Sequence, residues 1–266
     1  MEKIGYLGPQ DSYSHLAALK FRPEARHLAY GSFPLLMQAL VKGECTAIVL
    51  PIENSLNGGV SQNMDLLQCT QGVIAFERCA VKIDHRLATL KGADLRGISH
   101  IYSHQQALEQ CGEYLFEHFP NAKLIATPST AASLELLQTS TQACIVGAHV
   151  KRAGIELSPR NIADEKNNIT EFLLIKKGTA QSLPHSEKIY FCATCRHEAG
   201  ALYNLLFHLK EGGLNMTKIQ SRPVKESFGE YRFFVEVDGN LNDSRVKSVL
   251  EEVERAANSF KILGAY

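Results

Sequence analysis

Three polar side chains follow one another at the end of a strongly apolar segment. Glu53, Asn54 and Ser55 come directly after the run "TAIVLPI" at 46–52, which is typical of a buried strand. Amide and hydroxyl groups can donate and accept hydrogen bonds without carrying charge. Their position at the end of a buried strand predicts a polar surface at the edge of the apolar core, where a small polar ligand could bind.

Four predicted strands, this one included, end in polar residues before a helix. The segments are "GPQDSYS" (8–14), "ENS" (53–55), "SHQQ" (103–106) and "TPSTAA" (127–132). Helix N-termini present free backbone N–H groups and bind anions. Ligands of α/β sheets collect at the carboxyl ends of strands, so the pattern predicts a cleft for a small anion. For any single Ser or Thr, ordinary helix capping is the alternative.

Alternation of strand-like and helix-like segments runs from residue 3 to residue 177. It predicts the α/β class with a mostly parallel sheet. The predicted helices include "QQALEQCGEYLFEHF" (105–119) and "AHVKRAG" (148–154). The segment 178–187 ("GTAQSLPHSE") is typical of a linker. The remaining residues, 188–266, predict the order βαββαβ of a ferredoxin-like fold.

The composition and charge of the chain argue against several classes of binding partner. The chain has 266 residues, a formal net charge of zero and 45% hydrophobic residues, typical of a soluble globular protein. We therefore expect neither a nucleic-acid nor a membrane partner. The N-terminus lacks the apolar stretch of a signal peptide, which predicts a cytoplasmic location. The seven scattered cysteines predict free thiols, and "CATC" at 192–195 has no second ligand pair for a metal.

Five motifs together resemble one enzyme family. The chain is similar to prephenate dehydratases with a C-terminal ACT domain in "YLGPQDSYSHLAA", "LPIENSLNGGV", "YSHQQALEQC", "STAAS" and "NNITEF". In 188–266, "GALY" (200–203) and "QSRP" (220–223) look like the two regulatory signatures of the family's ACT domain. The resemblance implies a two-lobed catalytic domain over 1–177, like a type II periplasmic binding protein. Lobe 1 would take about 1–77 and 160–177, and lobe 2 about 78–159. The ACT domain would follow the linker.

The resemblance also implies a function. The reaction would be decarboxylating dehydration of prephenate to phenylpyruvate in phenylalanine biosynthesis, with no metal and no cofactor. L-Phenylalanine would inhibit through the ACT domains, which pair in a homodimer or homotetramer.

Site residues follow from the same motifs. Thr170 would be the catalytic donor to the departing hydroxyl. The substrate-binding residues would be Asn54, Ser55, Ser103, His104, Gln106, Gln110, Ser129, Thr130, Ala131, Glu171 and Phe172. The phenylalanine-binding residues would be Gly200, Ala201, Leu202, Leu214, Asn215, Gln220, Ser221, Arg222 and Pro223. Ordinary structural roles are the alternative for Gln110 on a solvent-facing helix, His104 in a core and Asn168 in a turn.

The chain departs from the family pattern at four places. Asp11-Ser12 replaces Gly-Thr, Gln105 replaces proline, Gln220 replaces glutamate and Glu171 replaces arginine. Glu171 and Asp11 would repel a dianionic substrate unless a cation compensates, for which the candidates are Arg152, Arg160 and Lys166. The alternatives are therefore an arogenate dehydratase, another prephenate-processing lyase, or a catalytically decayed phenylalanine-binding regulator. Gln220 predicts weaker or altered sensitivity to phenylalanine.

Overall fold

A computed structural model describes residues 1–180, 183, 186–195, 197–224 and 230–266. The strands are β1 (Lys3–Leu7), β2 (Arg26–Tyr30), β3 (Ala47–Asn54), β4 (Gly58–Gly59), β5 (Val73–Lys82), β6 (His85–Leu90), β7 (His100–His104), β8 (Lys123–Thr127), β9 (Gln142–Gly147), β10 (Ile155–Leu157), β11 (Ile169–Lys177), β12 (Lys188–Thr194), β13 (Met216–Pro223), β14 (Tyr231–Asp238) and β15 (Ser259–Ala265). The α-helices are α1 (Tyr13–Phe21), α2 (Phe33–Lys42), α3 (Ser61–Cys69), α4 (Gln105–Glu109), α5 (Gly112–His118), α6 (Ala201–Glu211) and α7 (Ser244–Ala256). Short 3₁₀ helices span Leu95–Gly97 and Ala132–Leu136.

The chain forms two compact units. The first comprises Met1–Leu36, Val49–Gly58 and Cys79–Phe172, and the second comprises Met37–Ile48, Gly59–Arg78 and Leu173–Tyr266. Strands β3, β5 and β11 contribute residues to both units. The second unit thus includes segments from before residue 177, and the assignment of 1–177 and 188–266 as catalytic and regulatory domains stays a prediction. Part of the predicted linker, 181–182 and 184–185, lies outside the described residues.

The first unit contains strand segments in the order β11-β3-β1-β2, of which β1 and β2 pair in parallel, and a separate sheet in the order β10-β6-β9-β7-β8. The Ser55 backbone N–H donates to the Ile169 carbonyl at 2.9 Å, so the end of β3 lies beside the start of β11 and these two strands run in opposite directions. β7 pairs in parallel with β8 and β9, whereas β6 runs antiparallel to β9. Side chains alternate along β9, so Ala143 and Ile145 pack on one face of its sheet while Cys144 and Val146 pack on the other. The two sheets of the chain fit the predicted two-lobed arrangement.

The second unit contains the ferredoxin-like pattern predicted from the sequence. Its strands follow the order β13-β14-β12-β15, and the three pairs are antiparallel. The N-cap residue of helix α7 is Asp243, whose Oδ1 accepts from the Arg245 backbone N–H at 2.8 Å. Its apolar side chains join one core with Phe191 and Val235 of the sheet. The α/β class and the βαββαβ order are both confirmed.

Two predicted helices are wrong. The helix expected over 105–119 is interrupted, because α4 ends before Gln110 and α5 begins at Gly112. The Asp164 carboxylate accepts from the Glu113 and Tyr114 backbone N–H groups at 3.2 and 3.3 Å, which starts a separate helix there. The segment 148–154 forms turns instead of a helix, since Val150 N–H donates to the Gly147 carbonyl within the turn.

None of the helices in the described part of the chain is both long enough and apolar enough to span a membrane.

Candidate active site

A cavity of about 240 Å³ lies within the first unit, where β1, β3 and β7 end. Its lining combines apolar and uncharged polar side chains with two histidines: Leu7, Gly8, Ser12, Tyr13, Ser14, Asn54, Ile83, His85, His104, Gln106, Ala107, Gln110, Pro128, Ser129, Thr130, Asn168, Thr170 and Phe172. The polar strand ends identified in the sequence therefore meet at one place. Among the described residues, no Lys, Arg, Asp or Glu lines this cavity.

Asn54 is the central hydrogen-bonding group of the cavity. It is the last residue of β3 and is only 8% exposed. Its Oδ1 accepts from the backbone N–H groups of Leu56 and Asn57 at 3.1 and 3.2 Å. Its Nδ2 donates to Asn168 Oδ1 at 2.6 Å and to Thr170 Oγ1 at 2.9 Å. Asn54 therefore holds the start of β11 and fixes the direction of the Thr170 hydroxyl.

Thr170 has a hydroxyl hydrogen left for a ligand. Because Thr170 Oγ1 accepts from Asn54, its O–H bond is available to donate elsewhere. Phe172, two residues further along β11, also lines the cavity. Glu171 lies between them, and successive side chains of a strand point to opposite faces. Glu171 is not among the residues that line the cavity, and its predicted role in substrate binding stays a prediction.

Gln110 lies where the expected long helix is broken, and its side chain faces the cavity instead of solvent. Gln110 Oε1 accepts from Asn168 Nδ2 at 3.1 Å and lies 3.0 Å from His85 Nε2. Gln110 Nε2 is buried and has no hydrogen-bond partner among the residues that the structure describes. Asn168 is 1% exposed and lies directly before β11, so it is a buried member of this network.

His104 and Gln106 line the cavity at the start of α4. His104 Nδ1 accepts from the Gln106 backbone N–H at 3.3 Å, so His104 caps this short helix. Ser103 is different, because it is fully buried and its Oγ donates to the Ile145 carbonyl at 2.8 Å. Ser103 links β7 to β9 and is not among the residues that line the cavity, and its predicted contact with substrate stays a prediction.

The segment 129–131 contributes two of its three predicted residues. Ser129 and Thr130 line the cavity, and Ser129 Oγ accepts from the Ala132 backbone N–H at 3.0 Å. Ala131 is 7% exposed and does not line the cavity. Ser55 also lies outside the lining: it is exposed, and its Oγ accepts from the Ile169 backbone N–H at 3.0 Å. The predicted contacts of Ala131 and Ser55 with substrate stay predictions.

The N-terminus of α1 forms another wall, which contributes residues outside the predicted set. Ser12 caps the helix by accepting from the His15 backbone N–H at 3.2 Å. The Tyr13 hydroxyl donates to the Asp84 carbonyl at 2.9 Å, and burial raises the pKa of Tyr13 well above its ordinary value. The capping pattern around Ser12 and Ser14 was visible in the sequence, but nothing in it indicated His85, which comes from β6.

Within the part of the chain that the structure describes, the cavity lining contains no Lys or Arg to compensate for an anion. Arg152, one of the candidate cations, makes an ion pair with Glu135 at 2.6 Å. Arg160 and Lys166 lie in a separate surface cavity of about 430 Å³. Of the two lining histidines, His85 has a pKa lowered by burial, so it is neutral near pH 7. An anion in this cavity would depend on hydroxyls, amides and the N-terminus of α1.

The comparisons identify the family. The family model for prephenate dehydratase matches residues 4–180. This chain belongs to the prephenate dehydratase family. A bifunctional chorismate mutase/prephenate dehydratase of Neisseria gonorrhoeae is 33% identical over 271 residues, which cover 99% of this chain and 74% of that protein.

Solved structures extend the prephenate dehydratase similarity to the whole chain. The prephenate dehydratase of Arthrobacter aurescens in complex with L-Phe matches with a TM-score of 0.89 at 27% identity, covering 99% of this chain and 90% of that one. A protein described as GqqA, a novel type of quorum quenching acylase, matches with a TM-score of 0.86 at 25% identity, covering 100% and 97%.

Two acidic residues depart from the prephenate dehydratase pattern, Asp11 and Glu171, and both lie outside the cavity lining. Asp11 has a backbone φ of +63°, a left-handed conformation that glycine adopts without strain. Its backbone N–H donates to His15 Nδ1 at 3.1 Å, and its carbonyl lies 2.9 Å from His149 Nε2. Neither Asp11 nor Glu171 lines the cavity, and Gln105 donates to Glu109 at 2.7 Å on the exposed side of α4.

The first ACT signature lies at the start of α6. Gly200 is the N-cap residue with φ +84°, and Ala201 and Leu202 belong to the first turn. Leu214 and Asn215 follow the other end of this 11-residue helix, about 16 Å away at 1.5 Å per residue. Asn215 Nδ2 donates to Asp238 Oδ2 at 2.7 Å. The two groups therefore do not meet within one chain.

The second ACT signature is divided between two faces of β13. Gln220 and Arg222 share the half-buried face, whereas Ser221 and Pro223 are exposed on the opposite one. Arg222 Nη2 donates to Asp65 Oδ2 of α3 at 2.9 Å. Gln220 packs on Gly59, where a Cβ would lie 2.8 Å from Gln220 Cδ. The roles of these residues in phenylalanine binding stay predictions.

Proposed function

We propose that the protein is a prephenate dehydratase whose cavity binds prephenate and whose catalytic donor is Thr170. The observation that carries this proposal is the Thr170 hydroxyl, which accepts from Asn54 and so has its hydrogen free to donate into an otherwise uncharged cavity. The family membership supports the reaction class. No cofactor or metal takes part in the proposed chemistry.

The proposed reaction breaks two bonds that join substituents to the ring of the substrate. The bond between the ring and its carboxylate breaks and releases CO₂, and its electron pair forms a ring double bond as the C–O bond to the hydroxyl breaks. The departing hydroxide takes a proton to become water, and phenylpyruvate remains. Aromatisation supplies the driving force, so the protein has to orient the substrate and stabilise the departing oxygen. Thr170 stabilises that oxygen by a hydrogen bond.

Prephenate is favoured over arogenate, which carries an ammonium group. Among the described residues, no carboxylate lines the cavity to meet that ammonium. Asp11 and Glu171, the two acids that suggested an arogenate dehydratase, both lie outside the lining. Arogenate and prephenate share both carboxylates, and prephenate has a keto oxygen where arogenate has the ammonium. The hydroxyl and amide donors of Ser129, Thr130 and Gln110 can donate to that keto oxygen but carry no negative charge to pair with an ammonium as a carboxylate would.

An acylase activity has less support. Acyl transfer through a serine requires a hydrogen-bonded base beside the nucleophile. The cavity-lining serines that the structure describes are Ser12, Ser14 and Ser129, and none of them hydrogen-bonds a histidine ring. The similarity to GqqA therefore supports a shared fold and supplies a control substrate class.

Regulation and assembly complete the proposal. We assign residues 1–177 to catalysis and 188–266 to a regulatory ACT domain that binds L-phenylalanine, supported by the βαββαβ order and by the relative solved in complex with L-Phe. A second copy of the chain would bring two ACT domains together, which predicts a homodimer or homotetramer. The proposed location is the cytoplasm.

The test compares the wild type with Thr170→Ala and Thr170→Ser, following phenylpyruvate formation from prephenate. Serine keeps the hydroxyl, so we expect it to retain most activity, whereas alanine should lower kcat by about 10²–10³-fold. Arogenate and an N-acyl amide are the competing substrates, and L-phenylalanine is added to each reaction.

Three outcomes would overturn the assignment. Preference for arogenate would identify an arogenate dehydratase, and hydrolysis of the amide would identify an acylase. No turnover with retained phenylalanine binding would indicate a regulatory protein. Strong inhibition at low phenylalanine would contradict the weakened sensitivity predicted from Gln220.

A further inference from the structure

We propose that His85 is a positioning residue of the active site: it orients the Gln110 amide so that the amide N–H groups face the substrate. This inference rests on the proposed function of the cavity. His85 is on β6, is 3% exposed and lies in the cavity wall, where its Nε2 is 3.0 Å from Gln110 Oε1.

The direction of each hydrogen bond follows from two backbone N–H groups, which can only donate. Leu56 and Asn57 donate to Asn54 Oδ1, so the other amide atom of Asn54 is its nitrogen. That nitrogen donates to Asn168 Oδ1 at 2.6 Å. Asn168 Nδ2 then donates to Gln110 Oε1 at 3.1 Å. The side-chain oxygen of Gln110 is therefore an acceptor on the buried side.

The tautomer of His85 follows from this direction. Its Nε2 lies 3.0 Å from an oxygen that can only accept, so Nε2 carries the hydrogen and Nδ1 is bare in the neutral ring. Burial lowers the pKa of His85, in agreement with a neutral imidazole. The backbone of His85 is held in place, because its N–H donates to Asn161 Oδ1 and its carbonyl accepts from Ile162 N–H, and the ring itself is enclosed, since the residue is 3% exposed.

Two donors thus hold the same oxygen of Gln110. A flip of the Gln110 amide would turn its NH₂ group toward the N–H groups of both His85 and Asn168 and would lose both bonds. In the observed orientation, Gln110 Nε2 is buried without a partner at the cavity. A buried, unpaired donor is costly until a ligand atom accepts from it. The geometry therefore points to an oxygen of the ligand, and in prephenate to a carboxylate oxygen.

The experiment compares three variants in the full chain. In His85→Gln, the amide nitrogen can take the place of Nε2 and donate to Gln110. In His85→Asn, the shorter side chain can replace only Nδ1 and leaves Gln110 Oε1 without that donor. His85→Leu removes both nitrogens. We expect Asn and Leu to raise KM for prephenate about tenfold or more with a smaller change in kcat, and Gln to stay within threefold of wild type.

Two readouts separate this role from a structural one. Thermal unfolding shows whether each variant is folded, and a purely structural histidine would lower Tm without a selective rise in KM. Equal impairment of His85→Gln and His85→Asn, or unchanged KM in folded His85→Asn and His85→Leu, would overturn the proposal.

The tautomer can be tested without any substrate. A long-range ¹H–¹⁵N spectrum of the wild type distinguishes a ring protonated at Nε2 from one protonated at Nδ1. A hydrogen on Nδ1 would refute the orientation argument even if prephenate is turned over. A hydrogen on Nε2 in a protein that does not turn over prephenate would leave the orientation supported and overturn the assigned substrate.

Discussion

The substitution Asn54→Asp changes one side-chain NH₂ group into an oxygen and tests the direction of the hydrogen bonds in the cavity. The backbone N–H groups of Leu56 and Asn57 can still donate to the remaining Oδ1. The altered atom now accepts, so the Thr170 hydroxyl would donate to it at about the present 2.9 Å separation. Thr170 would then no longer offer its hydrogen to the departing oxygen of the substrate.

The size of the effect follows from what each contact contributes. Loss of one donor to the departing oxygen is expected to lower kcat by about 10²–10³-fold. The new carboxylate also faces Asn168 Oδ1, which is 2.6 Å from the present Nδ2, and the Ile169 carbonyl at 3.3 Å. A buried acceptor left without its donor costs about 1–3 kcal/mol, so the free energy of unfolding should fall by this amount. The added negative charge should raise KM for an anionic substrate.

The assay measures kcat and KM from phenylpyruvate formation, together with urea unfolding of the same samples. Asn57→Asp is the matched control, since its side chain is exposed and donates only to Asn54 Oδ1, which keeps both backbone donors. The control should keep kcat within threefold of wild type. If folded Asn54→Asp also stays within threefold in kcat, the Thr170 hydroxyl is not oriented by Asn54 and our account of the donor is wrong.

Three further predictions concern stability. Burial lowers the pKa of both His15 and His85, so the unfolded chain binds more protons, and stability should fall below about pH 6.5 by at most about 1.4 kcal/mol per histidine per pH unit. Urea unfolding at pH 7.5 and 5.5 checks this, and His85→Gln should show the smaller loss. Asp11→Val should destabilise by about 1–2 kcal/mol because of its left-handed backbone, whereas Asp11→Gly should change the unfolding midpoint little; equal effects would contradict the backbone argument. Gly264→Ala would place a Cβ 2.9 Å from the Ala75 carbonyl oxygen and should cost about 1–3 kcal/mol, with partial recovery in the double variant with Ala75→Gly, as measured by thermal unfolding.

The fold was largely predictable because its main signals are local. Apolar runs such as 46–52 and the alternation of strands and helices indicated the α/β class, and the later change of pattern indicated the βαββαβ order. The helix break at Gln110 was not predictable in the same way. It depends on Asp164, more than fifty residues away, which accepts from the backbone N–H groups that begin α5.

The site was predictable to the extent that its residues lie in contiguous motifs. Asn54, His104 and Thr170 all come from such motifs and do line the cavity. His85 could not be found this way, since it reaches Gln110 only after β6 has paired with β9. Ser103 shows a second limit of motif reasoning: its hydroxyl resembles a ligand group in the sequence, whereas in the fold it donates to the Ile145 carbonyl of the neighbouring strand β9.

The charge reversal at Glu171 shows how a residue's face decides its chemical meaning. A position-by-position comparison with the family makes an acid in place of arginine look like a change of substrate. β11 has a period of two, so the face that carries Thr170 and Phe172 into the cavity excludes the residue between them. The same period divides Gln220 and Arg222 from Ser221 and Pro223 on β13. A substitution in a strand therefore affects ligand binding directly only when its side chain lies on the same face of the strand as the residues that line the site. Glu171 lies on the opposite face from Thr170 and Phe172, so it gives no reason to prefer a substrate that carries an ammonium group.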